Sequence, residues 1–355
     1  MSADGFESFR GKTVLVTGHT GFKGSWLTIW LQELGANVVG YSLEPPTKPS
    51  LFSLSRLEET MTHVIGDVRD AEKLNHTIDH EKPEVIFHLA AQPIILHSFT
   101  HPHETFSINA GGTVNLLDAA RNKAFVKSLV IVTTDKCYVN NEWVWGYREN
   151  DPLGGDDPYS ASKAMAELAV AAYRTSFFKQ GTAIATARAG NVIGGGDFSP
   201  FRLLPDCMKA LMKQVPIEVR HPSSVRPWLH VLDPLYGYLM LANRLLREGR
   251  PWAEAWNFGP LEHEAVTTRA LVENAIGLWG HGEWIDIGKT GESQENTVLK
   301  LNWDKAANRL RWHPAYTWKE ALAATVDWFK AYEQSNDMRR VCVNQVRDYT
   351  KRRSA

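Results

Sequence analysis

The strongest constraint in this sequence is an alternation, running from residue 12 onward, of short apolar runs with helical patterns. Lys12-Thr-Val-Leu-Val-Thr17 reads as a strand, and Trp26, Leu27, Trp30, Leu31 and Leu34 then recur at helical spacing until Gly35 stops the helix. Segments 37–42, 63–65, 84–89 and 128–133 read as four more strands, and 183–187 as a sixth. A helix precedes the fifth strand, with Phe106, Ala110, Val114 and Leu117 on one face, and a second long helix spans 159–178. Strands this apolar must be buried on both faces, and the helices between them supply the cover. The expected fold is therefore α/β, a Rossmann-type doubly wound parallel sheet. Beyond residue 195 the alternation loosens into helices at 203–213, 234–246, 267–278, 305–310 and 318–332. The expected organisation is a dinucleotide-binding domain over 1–195 and a smaller, mostly helical substrate lobe over 196–355, with some interleaving.

Composition narrows the class of ligand. Lys and Arg total 39 against 40 Asp and Glu, so no global positive field exists to recruit nucleic acid or an anionic membrane. Cys137, Cys207 and Cys342 are odd in number and far apart, which argues against a disulfide framework and for a reducing, cytoplasmic setting. The first residues lack the basic and apolar regions of a signal peptide, and no apolar run is long enough for a membrane span. His101-Pro-His103 is the nearest approach to a metal pair, but no carboxylate cluster accompanies it, so no metal is expected. The basic C-terminus, from Arg339 to Arg353, reads as a solvated helix and tail.

Two motifs carry chemistry. Thr17-Gly-His-Thr-Gly-Phe-Lys-Gly24 follows the first strand and opens the first helix, with glycines at 18, 21 and 24. Gly18 permits a tight turn, Gly21 close approach to a pyrophosphate, and Gly24 close packing of helix on sheet. Thr20, Phe22 and Lys23 complete this cofactor-binding turn. At the end of the second strand stands Ser42, with neither the usual ribose-binding Asp nor an Arg for a 2′-phosphate, which favours NAD over NADP. Asp67 and Val68 after the third strand suit the adenine, and Leu89, Ala90 and Ala91 after the fourth are small enough for a cofactor to pass. Second, Tyr159-Ser-Ala-Ser-Lys163 puts a phenol and an ammonium on one helical face. A phenol of pKa near ~10 needs neighbouring positive charge to act as a base at neutral pH, and Lys163 together with a cationic nicotinamide ring is expected to supply it. Thr133, Thr134, Asp135 and Lys136 end the fifth strand, at the edge where open sheets bind ligands. Thr134 suits a reacting hydroxyl, and the adjacent Asp135 and Lys136 suggest a second proton transfer. Taken singly, a ligand-free glycine turn and a chance Tyr-Lys pair are the alternatives.

Together the turn at 18–24, His88-Leu-Ala-Ala-Gln92, Thr134-Asp-Lys136, Tyr159-Ser-Ala-Ser-Lys163 and Arg188-Ala-Gly-Asn191 resemble the extended short-chain dehydrogenase/reductase family. The resemblance continues into Arg226-Pro-Trp and Trp256-Asn-Phe-Gly259, and within the family it is to the nucleotide-sugar 4,6-dehydratases. It implies NAD as cofactor, CDP-glucose as substrate and a role in deoxysugar and lipopolysaccharide biosynthesis. It implies Tyr159 as base at C4 with Thr134, Asp135 as acid at C6 and Lys136 where relatives carry a glutamate base. Gln92, His97, Ser98, Asn191, Arg226 and Asn257 are implied in substrate binding. A homo-oligomer built on helices 103–122 and 159–178 is implied as well. Another nucleotide-sugar dehydratase or an epimerase of the same family, and a non-catalytic NAD-binding sensor, are the competing expectations.

Overall fold

A computed structural model describes residues 3–261, 266–288 and 299–354. Seven strands, β1 (Thr13–Thr17), β2 (Asn37–Ser42), β3 (Thr62–Ile65), β4 (Val85–His88), β5 (Ser128–Val132), β6 (Ala183–Ala189) and β7 (Ala255–Phe258), form one sheet. Its order is β3-β2-β1-β4-β5-β6-β7, and every neighbouring pair is parallel. Side chains alternate between two packed layers, as the pleat requires. Val14, Val16, Val85, Phe87, Val130 and Val132 enter one core, which α1 (Phe22–Glu33) helps to cover through Trp26, Leu27 and Trp30. Leu15, Val39, Ile86, Leu129 and Ile131 enter the other. That second core is covered by Leu74 and Ile78 of α2 (Ala71–Glu81), Leu116 and Leu117 of α3 (Gly112–Ala120), and Val170 of α4 (Pro158–Ser176).

Residue 195 does not divide two independent units. After α5 (Leu203–Met212), the chain returns to the sheet through α6 (Leu232–Glu248) and β7, which pairs with β6 from Ala255 opposite Thr186 to Phe258 opposite Ala189. Leu235 and Leu239 of α6 lie in the first core, which continues into α7 (Thr268–Trp279) and α8 (Trp318–Glu333).

The C-terminal helix α9 (Met338–Ser354) corrects the expectation of a solvated tail. Met338, Cys342, Val346 and Tyr349 recur along one face and are buried. The basic side chains clamp its edges: Arg339 donates to Gln32 Oε1 at 2.9 Å, Arg347 pairs with Glu33 at 2.9 Å and Arg352 with Glu320 at 2.8 Å. Among the described residues, no helix is long and apolar enough to cross a membrane.

Candidate active site

A cleft of about 2080 Å³ opens beyond the carboxyl ends of β1, β2, β4 and β5. Gly18, with φ +75°, makes the turn out of β1, and a Cβ there would lie 2.6 Å from the Ala90 backbone nitrogen. A Cβ on Gly24 would meet the Gly18 carbonyl at 2.1 Å, so the turn and α1 close up only with glycine at both positions. Gly21 is the N-cap of α1 and offers no side-chain cap. The first N–H groups of the helix are thus left for a ligand, which is the cradle a dinucleotide pyrophosphate needs. Thr20 Oγ1 lies 2.8 Å from Ser42 Oγ, which joins the turn to the end of β2. Arg69 grips both oxygens of Asp67 and holds its carboxyl below the usual range. Residues that fit NAD are therefore present along the whole expected path, and Phe22, Lys23, Val68, Leu89 and Ala91 also face the cleft.

Beyond β5 the chain makes a short 3-10 turn, Asp135–Cys137, capped by the Thr134 hydroxyl, which accepts from Lys136 N at 3.3 Å. The same hydroxyl donates to Asp135 Oδ1 at 3.0 Å. Thr133, Thr134, Asp135, Lys136, Tyr159 and Lys163 all border the cleft. Burial pushes the Asp135 carboxyl up, against the pull of Lys136 and the Thr134 hydroxyl, which favours a carboxylic acid able to donate its proton. Lys163 Nζ reaches the Val132 carbonyl at 3.3 Å, and desolvation lowers its ammonium to about 8.

In the protein alone, Lys163 is not among the main influences on Tyr159. Burial dominates and pushes the phenol up to about 12, while the Thr134 hydroxyl and the Arg202 charge pull the other way. The protein alone therefore stores Tyr159 as a neutral phenol.

Several supports had no local signature in the sequence. A π-helical turn, Ser107–Gly111, precedes α3 and carries the buried Asn109. Asn109 Nδ2 donates to the Gln92 carbonyl at 3.1 Å and to Ser162 Oγ at 2.9 Å, which ties the β4 loop to α4. One turn beyond Lys163, Glu167 accepts from Arg188 at 2.7 Å and Thr186 at 2.8 Å, and from the Thr133 hydroxyl as well. Arg202 pairs with Asp197 at 3.1 Å, and both border the cleft with Lys23, whose ammonium desolvation lowers to about 8.

The substrate-side residues divide. Gln92, His97, Asn191 and Arg226 border the cleft. Gln92 uses its amide internally, donating to Thr105 Oγ1 at 2.9 Å, and His97 meets Glu104 at 2.9 Å. Ser98 and Asn257 do not border it. Ser98 is fully buried and donates to the Ile95 carbonyl at 2.7 Å. Asn257 is spent within β7: it accepts from Tyr138 at 2.8 Å and donates to the carbonyls of Tyr147 and Asn302. Ser98 spends its hydroxyl on backbone, and Asn257 spends its amide on backbone and the Tyr138 hydroxyl, so both occupy structural positions away from the cleft. No group of three or more His, Cys, Asp or Glu is arranged to hold a metal among the described residues.

A seven-stranded parallel sheet with a phosphate-cradling first turn and a Tyr-Lys helix at its carboxyl edge defines a nucleotide-sugar-modifying member of the short-chain dehydrogenase/reductase class. More narrowly, the chain belongs to the GDP-mannose 4,6 dehydratase family, whose profile matches residues 15–325. It is 47% identical over 348 residues to CDP-glucose 4,6-dehydratase of Salmonella typhimurium, covering 96% of this chain and 97% of the relative. It is 27% identical to dTDP-glucose 4,6-dehydratase of Xanthomonas campestris, over 89% of this chain and 93% of that one. Among solved structures it is similar to dTDP-glucose 4,6-dehydratase from Bacillus anthracis in complex with NAD, with TM-score 0.75 and 25% identity over 92% of this chain and 99% of that one. An epimerase from Methanothermobacter thermautotrophicus gives TM-score 0.80 and 25% identity, over 94% and 96%.

Proposed function

We propose that this chain is an NAD-dependent CDP-glucose 4,6-dehydratase, a hydro-lyase that converts CDP-glucose to CDP-4-keto-6-deoxy-glucose and water. The observation that carries this reading is the gathering of Thr134, Asp135, Lys136, Tyr159 and Lys163 on one cleft wall, in a chain 47% identical to a CDP-glucose 4,6-dehydratase along nearly its full length.

The residues divide the work. Tyr159 takes the proton of the C4 hydroxyl, which Thr134 orients. NAD, held there, would supply a hydride acceptor for C4 and a hydride donor for C6, and its cationic ring would favour the Tyr159 phenolate. The C4 ketone acidifies C5, and Lys136, which borders the cleft beside Asp135, is the base for that proton. Asp135, whose carboxyl burial pushes up, donates to the departing C6 hydroxyl. Gly18, Thr20, Gly21, Gly24, Ser42, Asp67 and Lys163 hold the dinucleotide. Arg226 and Asn191 hold the substrate diphosphate, for which a guanidinium fork suits the geometry. The acid at Asp135 separates this reading from an epimerase, which has no leaving hydroxyl to protonate.

Exposed Met165 and Leu168 on α4, with Leu96 and Phe99 on the helix Ile95–Thr100, support a homo-oligomer through this face. Three free buried cysteines fit a reducing cytoplasm. The product class assigns the enzyme to deoxysugar biosynthesis, of the kind that feeds lipopolysaccharide.

Turnover of CDP-, dTDP-, GDP- and UDP-glucose, followed by product analysis, tests the proposal. The expected result is a 4-keto product from CDP-glucose without accumulation of NADH. Preference for another nucleotide, or a sugar isomer as product, would sink it.

A further inference from the structure

Beside Lys136 lies a second cavity, of about 20 Å³, whose lining includes Lys136, Tyr138, Asn140, Asp156, Asp157 and Ser160. One water needs roughly 10–15 Å³ and two to four polar partners, so the cavity suits a single water. Lys136, Asp156 and Asp157 border both this cavity and the reaction cleft. The other polar groups are committed elsewhere. Asp157 caps α4, accepting from Ser160 N at 2.9 Å and Ser160 Oγ at 2.6 Å. Tyr138 donates to Asn257 and accepts from Arg188 at 2.6 Å. Asn140 Oδ1 accepts from Glu142 N and the Tyr147 hydroxyl at 3.0 Å. Asp156 stands exposed at the rim and, unlike Asp157, takes no part in the helix cap.

We propose that Asp156 and a water in this cavity form a relay that exchanges the protons of Lys136 with solvent during turnover. The inference rests on Lys136 as the C5 base, the reading given above. The C5–H bond breaks, its electron pair stays with the sugar as the enolate, and the proton completes an ammonium on Nζ. One ammonium proton then passes to the cavity water and another from that water to the Asp156 carboxylate, which releases it to bulk. When hydride returns to C6, Lys136 gives C5 a proton drawn from solvent. Asp156 acts through Lys136 and touches no reacting atom, so it is a relay residue.

The holoenzyme is run in D2O on CDP-glucose carrying protium at C5, with borohydride reduction at once to freeze exchange beside the ketone, and C5 is read by mass spectrometry. Wild type is expected to give deuterium at C5 throughout. In Asp156→Asn the captured proton stays one of three on the ammonium, so up to about one third of product retains protium. Asp156→Glu is expected to restore full deuteration. A merely structural role lowers the rate without moving this ratio. Full deuteration in Asp156→Asn, or equal retention in Asp156→Glu, overturns the relay while Lys136 keeps its role. Unimpaired C5 exchange in Lys136→Met overturns the base assignment and the relay with it.

Discussion

Glu167→Ala should test how the sheet holds the catalytic helix. Glu167 is buried and its carboxylate serves three partners: Arg188 and Thr186 on β6, and Thr133 after β5. The Arg188 guanidinium and these hydroxyls hold its pKa low against a desolvation that pushes it up. Truncation leaves the Arg188 cation buried without its counter-charge, at a cost of about 3–5 kcal/mol. With roughly 2.1 cal/mol/K of unfolding entropy per residue over 355 residues, that lowers Tm by roughly 4–7 °C. Removing both charges in Glu167→Ala/Arg188→Met should recover part of the loss, since the stranded ion is gone. Thermal and urea unfolding at fixed saturating NAD measure all the variants, because ligand binding otherwise shifts the apparent stability. The pH dependence has a defined sign. A carboxylate whose folded pKa is depressed contributes stability above its unfolded value, near 4.5, and loses it as pH falls through the folded one. The wild-type advantage over Glu167→Gln should therefore shrink below about pH 4.5. A Glu167→Ala loss under about 1 kcal/mol, or a double variant worse than the sum of its singles, would refute this account of the pair.

Three further outcomes follow from the site and the core. Tyr159→Phe should lower ketone formation by about 10²–10⁴-fold while NAD binding, followed by fluorescence titration, stays intact. Arg226→Ala should weaken CDP-glucose binding by roughly 10–100-fold, the worth of one charge-assisted hydrogen bond, with NAD affinity unchanged by calorimetry. Burial lifts the carboxyl of Asp233 to about 7, and its Oδ2 has no hydrogen-bond partner. A raised carboxyl pKa opposes folding as pH rises through the window from about 4 to 7, so Asp233→Asn should raise Tm more at pH 8 than at pH 5.

Most of the first six strands were legible as short apolar runs between helical patterns, and β2 matches its expected bounds from Asn37 to Ser42. β7 was not, because Asn257 interrupts it with a polar side chain whose partners lie 110 and 45 residues away. The buried face of α9 was hidden by arginines and lysines as numerous as its apolar positions; their long stems reach around to Gln32, Glu33 and Glu320. In the site, residues joined in a motif could be read directly. Asn109, Glu167 and Arg202 could not, since their roles arise from a π-helical turn, a cross-sheet ion pair and a loop brought over the cleft. The protonation of Tyr159 was also out of reach, because burial outweighs a neighbour that spacing alone reveals.

The return of the chain to its sheet has a consequence for biosynthesis. When a ribosome has released residues 1–195, β6 ends the sheet as an open edge, with the hydrogen-bonding groups that β7 will take still unpaired. Closure waits for about 60–70 more residues, which at about 5–20 residues per second is a delay of roughly 3–14 s. During that interval the nascent chain presents a template for pairing with other nascent copies. Expression truncated before Ala255 keeps that edge exposed permanently and should yield aggregates rather than a free nucleotide-binding half.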